Sequence, residues 1–226
     1  MSRPPYNPGV GELIRGKRQW SQPLSRASIR RGFLGWHESG YLPHRDEPGL
    51  IQFVTFNLAD ALPEELRAQW QAMLEIEDSR QRRIELEAYL DRSRGECHLR
   101  RPDIARLVEE SLRHFHGERY ELRAWVVMPN HVHLLFRVWH VPMWKLVDAW
   151  KGYTSKQANR LLGRKGQFWH DDYWDTYMRD SAHERRTIRY IESNPIKARL
   201  TRLPEEWPWS SARFRDACGV LHLPEH

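Results

Sequence analysis

The amino-acid sequence predicts an α+β protein of ferredoxin-like order, an antiparallel sheet with helices packed on it. Three observations carry this. IQFVTFNL (51–58) alternates β-branched and aromatic residues, as a half-buried strand does. Two apolar runs, 120–129 and 131–139, are separated by Pro129-Asn130, which reads as a hairpin. Helical periodicity fills the intervals around them, so two βαβ-like halves flank the hairpin.

The elements follow in order. Residues 1–48 are rich in Pro, Gly, Ser and Arg and are predicted as a basic, partly irregular arm. Residues 49–200 form the predicted domain, beginning with the strand at 51–58. Pro63 opens a helical stretch to Ser93, broken near Ser79. Residues 101–115 read as a helix, with Pro102 in its first turn, Leu107 and Leu112 on one face and Gly117 ending it. After the hairpin come a helix over 143–162 and a mixed segment over 166–180 with some strand character. A helix over 181–194 follows. Ser181 is its expected N-cap, Glu184 completes a capping box and Pro195 stops it. Residues 201–226 read as an extended tail packed on the domain.

Composition excludes several classes. Of 226 residues, 40% are apolar and 29% charged, enough for a core and too much for a disordered chain. No apolar run approaches the ~20 residues of a membrane span, and the first residues lack the apolar core of a secretory signal. Cys97 and Cys218 are far apart and form no CxxC, so a disulfide scaffold and a cysteine zinc site are not expected. A cytoplasmic protein fits these features.

The formal net charge is +6, and only six of the 36 basic residues are lysine. Arginine grips phosphate bidentately, which suits a nucleic-acid partner, although a GC-rich genome also writes arginine for lysine. Residues 1–45 carry eight basic residues against two acidic, and 140–200 carry twelve against seven. Residues 49–100 carry seven against ten. Basic charge thus gathers at the N-terminus and in the second half, as a one-sided phosphate footprint would.

The chemistry centres on His131-Val132-His133. Alternate strand residues share a face, with Cα atoms about 6.6 Å apart, so both imidazoles can converge on one divalent cation. HxH alone is a weak signal, and two half-exposed histidines have the same pattern. Tyr190 and Asn194 sit four residues apart in the 181–194 helix, on one face. A tyrosine near a metal-bound phosphate can act as a nucleophile, and an asparagine can offer a neutral oxygen to the metal. A core tyrosine and a helix-terminal asparagine would look the same. Lys151, Lys156 and Arg160, with Arg185, Arg186 and Arg189 near Tyr190, are candidate phosphate contacts.

Together these pieces carry a resemblance. AWVVMPNHVHLLF (124–136) resembles the HUH motif of single-tyrosine transposases, where U is a bulky apolar residue. GLIQFVTFNLAD, GECHLRRPDIARLVEESL, WKGYTSKQANRLLGRKGQFWHDDYWDTYMRD, IRYIESNPIKARL and WPWSSA extend it, over about residues 40–212, to the REP-associated tyrosine transposases. The resemblance implies a ferredoxin-like HUH fold and action on single-stranded DNA that forms a hairpin, typically a repetitive extragenic palindrome. It implies a bacterial, nucleoid-associated protein. His131, His133 and Asn194 would hold Mg²⁺ or Mn²⁺, which polarises the scissile phosphate. Tyr190 would attack it to form a 5′-phosphotyrosine and release a 3′-OH that can rejoin DNA. Tyr153, Tyr173 and Tyr177 are rival tyrosines without an asparagine four residues on. Arg199 stands where the family commonly has glycine. Two other readings stay open: a hairpin-binding protein without cleavage activity, and an unrelated metallohydrolase pairing HxH with a carboxylate. Relatives act as monomers or as dimers with shared sites, and the sequence does not choose.

Overall fold

A computed structural model describes residues 22–39, 42–61, Leu90 and 95–224. The helical stretch expected over 63–93 lies outside the described residues, except for Leu90, which is buried in the core.

The described part of the expected arm, residues 22–39 and 42–48, is more regular than its composition suggests. Among its described residues, α1 (Arg26–Arg31) leads into an antiparallel ribbon of β1 (Gly35–Ser39) and β2 (Leu42–Asp46). Ser25 caps α1 by accepting from the Ser28 amide, and Gly32 ends it at φ +96°. Short capped elements of this kind leave little periodicity for a sequence reading to detect.

The described part of the domain keeps the predicted order. β3 (Ile51–Asn57) is followed by α2 (Pro102–Arg113), β4 (Tyr120–Val127), β5 (His131–Val138), α3 (Met143–Leu161) and β6 (Trp174–Tyr177). The strands form one antiparallel sheet in the order β4-β5-β3-β6, which is the ferredoxin-like arrangement. Of the mixed segment at 166–180, only β6 is strand. α2 stops at Arg113, before Gly117, which instead turns at φ +83° into β4.

The sheet has two dressed faces. Val54, Phe56, Val132, Leu134 and Phe136 pack with Ile104 and Leu112 of α2 and Leu146, Val147 and Trp150 of α3. A bulge between Leu122 and Ala124 shifts the alternation of β4, so Leu122 and Trp125 both face this core. On the other face, Phe53, Ala124, Val126 and Leu135 pack with Ile191 of α4 (Ser181–Glu192).

The start and end of α4 differ from expectation. Asp180, rather than Ser181, is the N-cap, and its carboxylate accepts from the His183 amide at 2.7 Å. Glu184 closes no capping box. It accepts from Arg123 Nε of β4 at 2.7 Å, an ion pair that ties the helix to the sheet. At the other end the helix breaks at Ser193, and Pro195 sits in the first turn of a new short helix, α5 (Asn194–Lys197). Proline lacks only a donor that a first turn leaves unused, so it can open a helix as readily as stop one.

The tail runs along β4, an edge of the sheet. Val127 N–H donates to the Trp209 carbonyl at 2.8 Å, Trp125 N–H to Ser211 Oγ at 3.0 Å, and Trp207 Nε1 to the Val127 carbonyl at 2.9 Å. The WPWSS segment thus satisfies edge groups that would otherwise be open to another chain. Both cysteines are free.

Candidate active site

His131 and His133 lie on β5 and face the α4 side of the sheet, with Val132 turned into the opposite core. Both histidines are 0% exposed. Their Nε2 atoms are 3.2 Å apart. That span suits two ligands of one divalent cation held at about 2.1 Å from each nitrogen.

The other ring nitrogens are held from behind. His131 Nδ1 meets Asn130 Oδ1 at 2.8 Å, and His133 Nδ1 meets Thr55 Oγ1 at 2.8 Å. Burial pushes the His131 pKa down to about 3, so its ring is neutral. An amide oxygen can only accept, so His131 carries its proton on Nδ1 and a lone pair on Nε2. The Thr55 hydroxyl can donate or accept, which leaves His133 able to present its Nε2 lone pair as well. Such backing groups orient metal-ligating histidines. Residue type alone does not mark Asn130 and Thr55 as site residues. Thr55 is recognisable only through register, because β3 places it opposite His133.

Tyr190 projects from the last turns of α4. Its ring lies 5.5 Å from that of His133 and 6.0 Å from that of Phe53, in edge-on contacts. Lys197 Nζ of α5 sits 4.0 Å from the centre of the tyrosine ring, a cation–π contact that spacing alone does not reveal. Asn194 is the first residue of α5 rather than part of the tyrosine helix. It is 0% exposed, and neither its Oδ1 nor its Nδ2 has a hydrogen-bond partner among the described residues.

The two imidazoles form a donor pair that fits a divalent cation, and Asn194, on the element that follows the tyrosine helix, holds a buried amide with an unsatisfied oxygen. Among the described residues, no group of three or more His, Cys, Asp and Glu forms a metal cluster. A histidine–carboxylate hydrolase site is therefore not found among them.

The candidate phosphate contacts divide by face. Arg185, Arg186 and Arg189 are exposed on α4, the helix of Tyr190. Lys156 and Arg160 are exposed on α3, across the sheet from the histidines. Lys151 of α3 donates to the Asp171 carbonyl at 2.8 Å, and burial lowers its pKa. The rival tyrosines are placed elsewhere. Tyr153 is 54% exposed on α3, Tyr173 is buried beside His44, and the Tyr177 ring lies 4.4 Å from the Arg45 guanidinium.

Comparison with known proteins meets this site. Residues 98–194, from the turn before α2 to Asn194, match the IS200-like transposase family. A REP-associated tyrosine transposase of Escherichia coli K12 is 27% identical over 110 residues, covering 46% of this chain and 61% of the relative. A Haemophilus influenzae protein named for the same family is 24% identical over 103 residues, covering 41% of this chain and 58% of that one. The chain thus spans about three-fifths of the length of the curated relatives it matches. A solved structure of a REP-associated tyrosine transposase bound to a REP hairpin covers 78% of this chain and 85% of its own, with 20% identity and a TM-score of 0.48. No described helix is long and apolar enough to cross a membrane. The chain is therefore similar over residues 98–194 to the IS200-like transposases and, over part of its length, to the REP-associated tyrosine transposases.

Proposed function

We propose that this protein is a metal-dependent single-stranded DNA endonuclease and strand transferase that acts on hairpin-forming, REP-like DNA through a 5′-phosphotyrosine. The observation that carries the reading is the pair of imidazole Nε2 atoms 3.2 Å apart with the Tyr190 ring against one of them. Similarity to REP-associated tyrosine transposases supports the choice of substrate.

In this reading residues 49–200 are the catalytic domain, and His131, His133 and Asn194 hold Mg²⁺ or Mn²⁺. When bound, the cation supplies charge neutralisation at the scissile phosphate. Tyr190 Oη attacks the phosphorus, a Tyr–O–P bond forms, and the bond to the departing 3′ oxygen breaks to leave a 3′-OH. The adduct keeps the energy of a phosphodiester, so a 3′-OH can attack it and rejoin DNA without ATP. Lys197 and the exposed arginines of α4 supply positive charge on the nucleophile's side of the sheet. The basic N-terminal segment adds sequence-independent attraction to the backbone.

The test is incubation of end-labelled single-stranded hairpin DNA with the protein, with and without Mn²⁺. The expected result is strand cleavage with a covalent protein–DNA band that requires the cation. A protein that binds the hairpin but leaves it intact under all cations tried would favour hairpin binding alone.

A further inference from the structure

Asn57 ends β3 directly across from His131 in the β3–β5 register, one pair beyond Thr55 and His133. Directly opposed residues of an antiparallel pair share a face, with Cβ atoms about 4.5–5.5 Å apart. The Thr55–His133 hydrogen bond marks that face as the one bearing the histidines. Asn57 is 0% exposed. Its Nδ2 donates to the Leu58 carbonyl at 2.8 Å, but its Oδ1 has no hydrogen-bond partner among the described residues.

A buried amide oxygen left unsatisfied costs about 1–3 kcal/mol, and native interiors rarely tolerate one. Asparagine is also a poor strand former, so packing alone would favour a β-branched residue here. Mg²⁺ and Mn²⁺ prefer oxygen donors, and two imidazoles alone serve such an ion poorly. We infer that Asn57 Oδ1 is an additional oxygen donor to the cation held by His131 and His133, supplied by the sheet while Asn194 supplies one from the helical side. This inference rests on the proposed function.

The experiment is calorimetric titration of the full chain with Mn²⁺ alone, paired with thermal unfolding of each metal-free variant. Wild type is expected to bind, and His133→Ala to lose binding. Asn57→Leu, similar in size but without the oxygen, is expected to weaken Mn²⁺ binding by roughly 10-fold or more while the metal-free fold survives. Asn57→Asp, which restores an oxygen with charge, is expected to bind more tightly than wild type. Mn²⁺ affinity of Asn57→Leu within twofold of wild type, with His133→Ala inactive in binding, would overturn the inference and leave the metal reading standing. Should Asn57→Leu not fold, Asn57→Asp decides, and affinity no better than wild type overturns the inference. If wild type does not bind Mn²⁺, or His133→Ala binds as well as wild type, the metal reading falls and the inference with it.

Discussion

The Glu192 carboxylate, two residues beyond Tyr190, accepts from Ser211 Oγ and Arg215 Nε, each at 2.6 Å. Arg215 also donates to the Arg123 carbonyl at 2.7 Å, so the tail bolts the end of α4 to the sheet edge. Hydrogen bonds to a charged group contribute about 1.5–3 kcal/mol each. Glu192→Ala should therefore destabilise the protein by about 3 kcal/mol and slow any chemistry that depends on the placement of Tyr190. Denaturant unfolding checks the first effect. A loss under 1 kcal/mol would mean that the strap is incidental.

Tyr190→Phe should bind hairpin DNA as wild type does and form no covalent adduct, because it removes one hydroxyl and keeps the ring contacts with Phe53 and His133. Phe substitutions at Tyr153, Tyr173 and Tyr177 should each retain the adduct. Denaturing gels of the protein–DNA product decide it. An adduct from Tyr190→Phe would move the nucleophile elsewhere.

Thr55→Val keeps the shape of a β-branched strand residue and deletes the hydroxyl behind His133 Nδ1. Loss of such a backing group lowers metal affinity roughly 10–100-fold. The expected readout is a rise in the Mn²⁺ dissociation constant of that order, with little change in melting temperature. Unaltered affinity would show that His133 needs no orienting partner.

Arg199 occupies a left-handed conformation, φ +57°, directly after α5. Its amide donates to the Ile196 carbonyl at 2.9 Å and that of Leu200 to the Pro195 carbonyl at 2.8 Å, a Schellman-type helix end. The left-handed region costs a side-chain-bearing residue about 1–2 kcal/mol, and glycine gives back part of that as backbone entropy. Arg199→Gly should stabilise the protein by up to about 1 kcal/mol, about 2–4 °C in melting temperature. A lower melting temperature would mean that the arginine side chain contributes more than the strain removes.

His44 links the N-terminal ribbon to β6. Its Nδ1 meets Asp175 and its Nε2 lies 3.5 Å from Asp172. Burial alone would lower its pKa, but the Asp175 charge, aided by Asp172, holds it up to about 10. A pKa raised on folding contributes stability that is complete below the ordinary value of 6.5 and is lost as pH rises through about 10. The neighbouring Asp46 receives the first amide of α3, Met143 N–H, at 2.8 Å, and burial pushes its pKa up to about 6. Its titration therefore ends below the alkaline window. Wild-type melting temperature should fall from pH 7 to 10 more steeply than that of His44→Gln. Parallel curves would show that His44 carries no charge in the fold.

Much of the fold was legible because its signals are local. The period of two in IQFVTFNL, the Pro-Asn turn and the amphipathic period of 102–113 each lie within one element, and the strand–helix order then leaves few topologies. His131 and His133 were legible for the same reason, since two positions on one strand share a face whatever packs on it. The remainder depends on groups brought together across the chain. Ser181 looked like a cap because its type suits one, but Asp180 held the position, and Glu184 found Arg123 from a strand some sixty residues earlier. The ribbon before β3 had too few residues to show a period. Pro195 reads as a stop, although a proline equally begins a helical turn. Thr55 and Asn57 entered the site only through the register of β3 against β5, which is set by a sheet that closes over two helices. Lys197 meets Tyr190 from the short helix that follows the break at Ser193, a contact that only the folded chain shows. Residue type and spacing thus decided which groups could share a face, while tertiary packing decided which were buried together, and burial is what makes their charges and lone pairs matter.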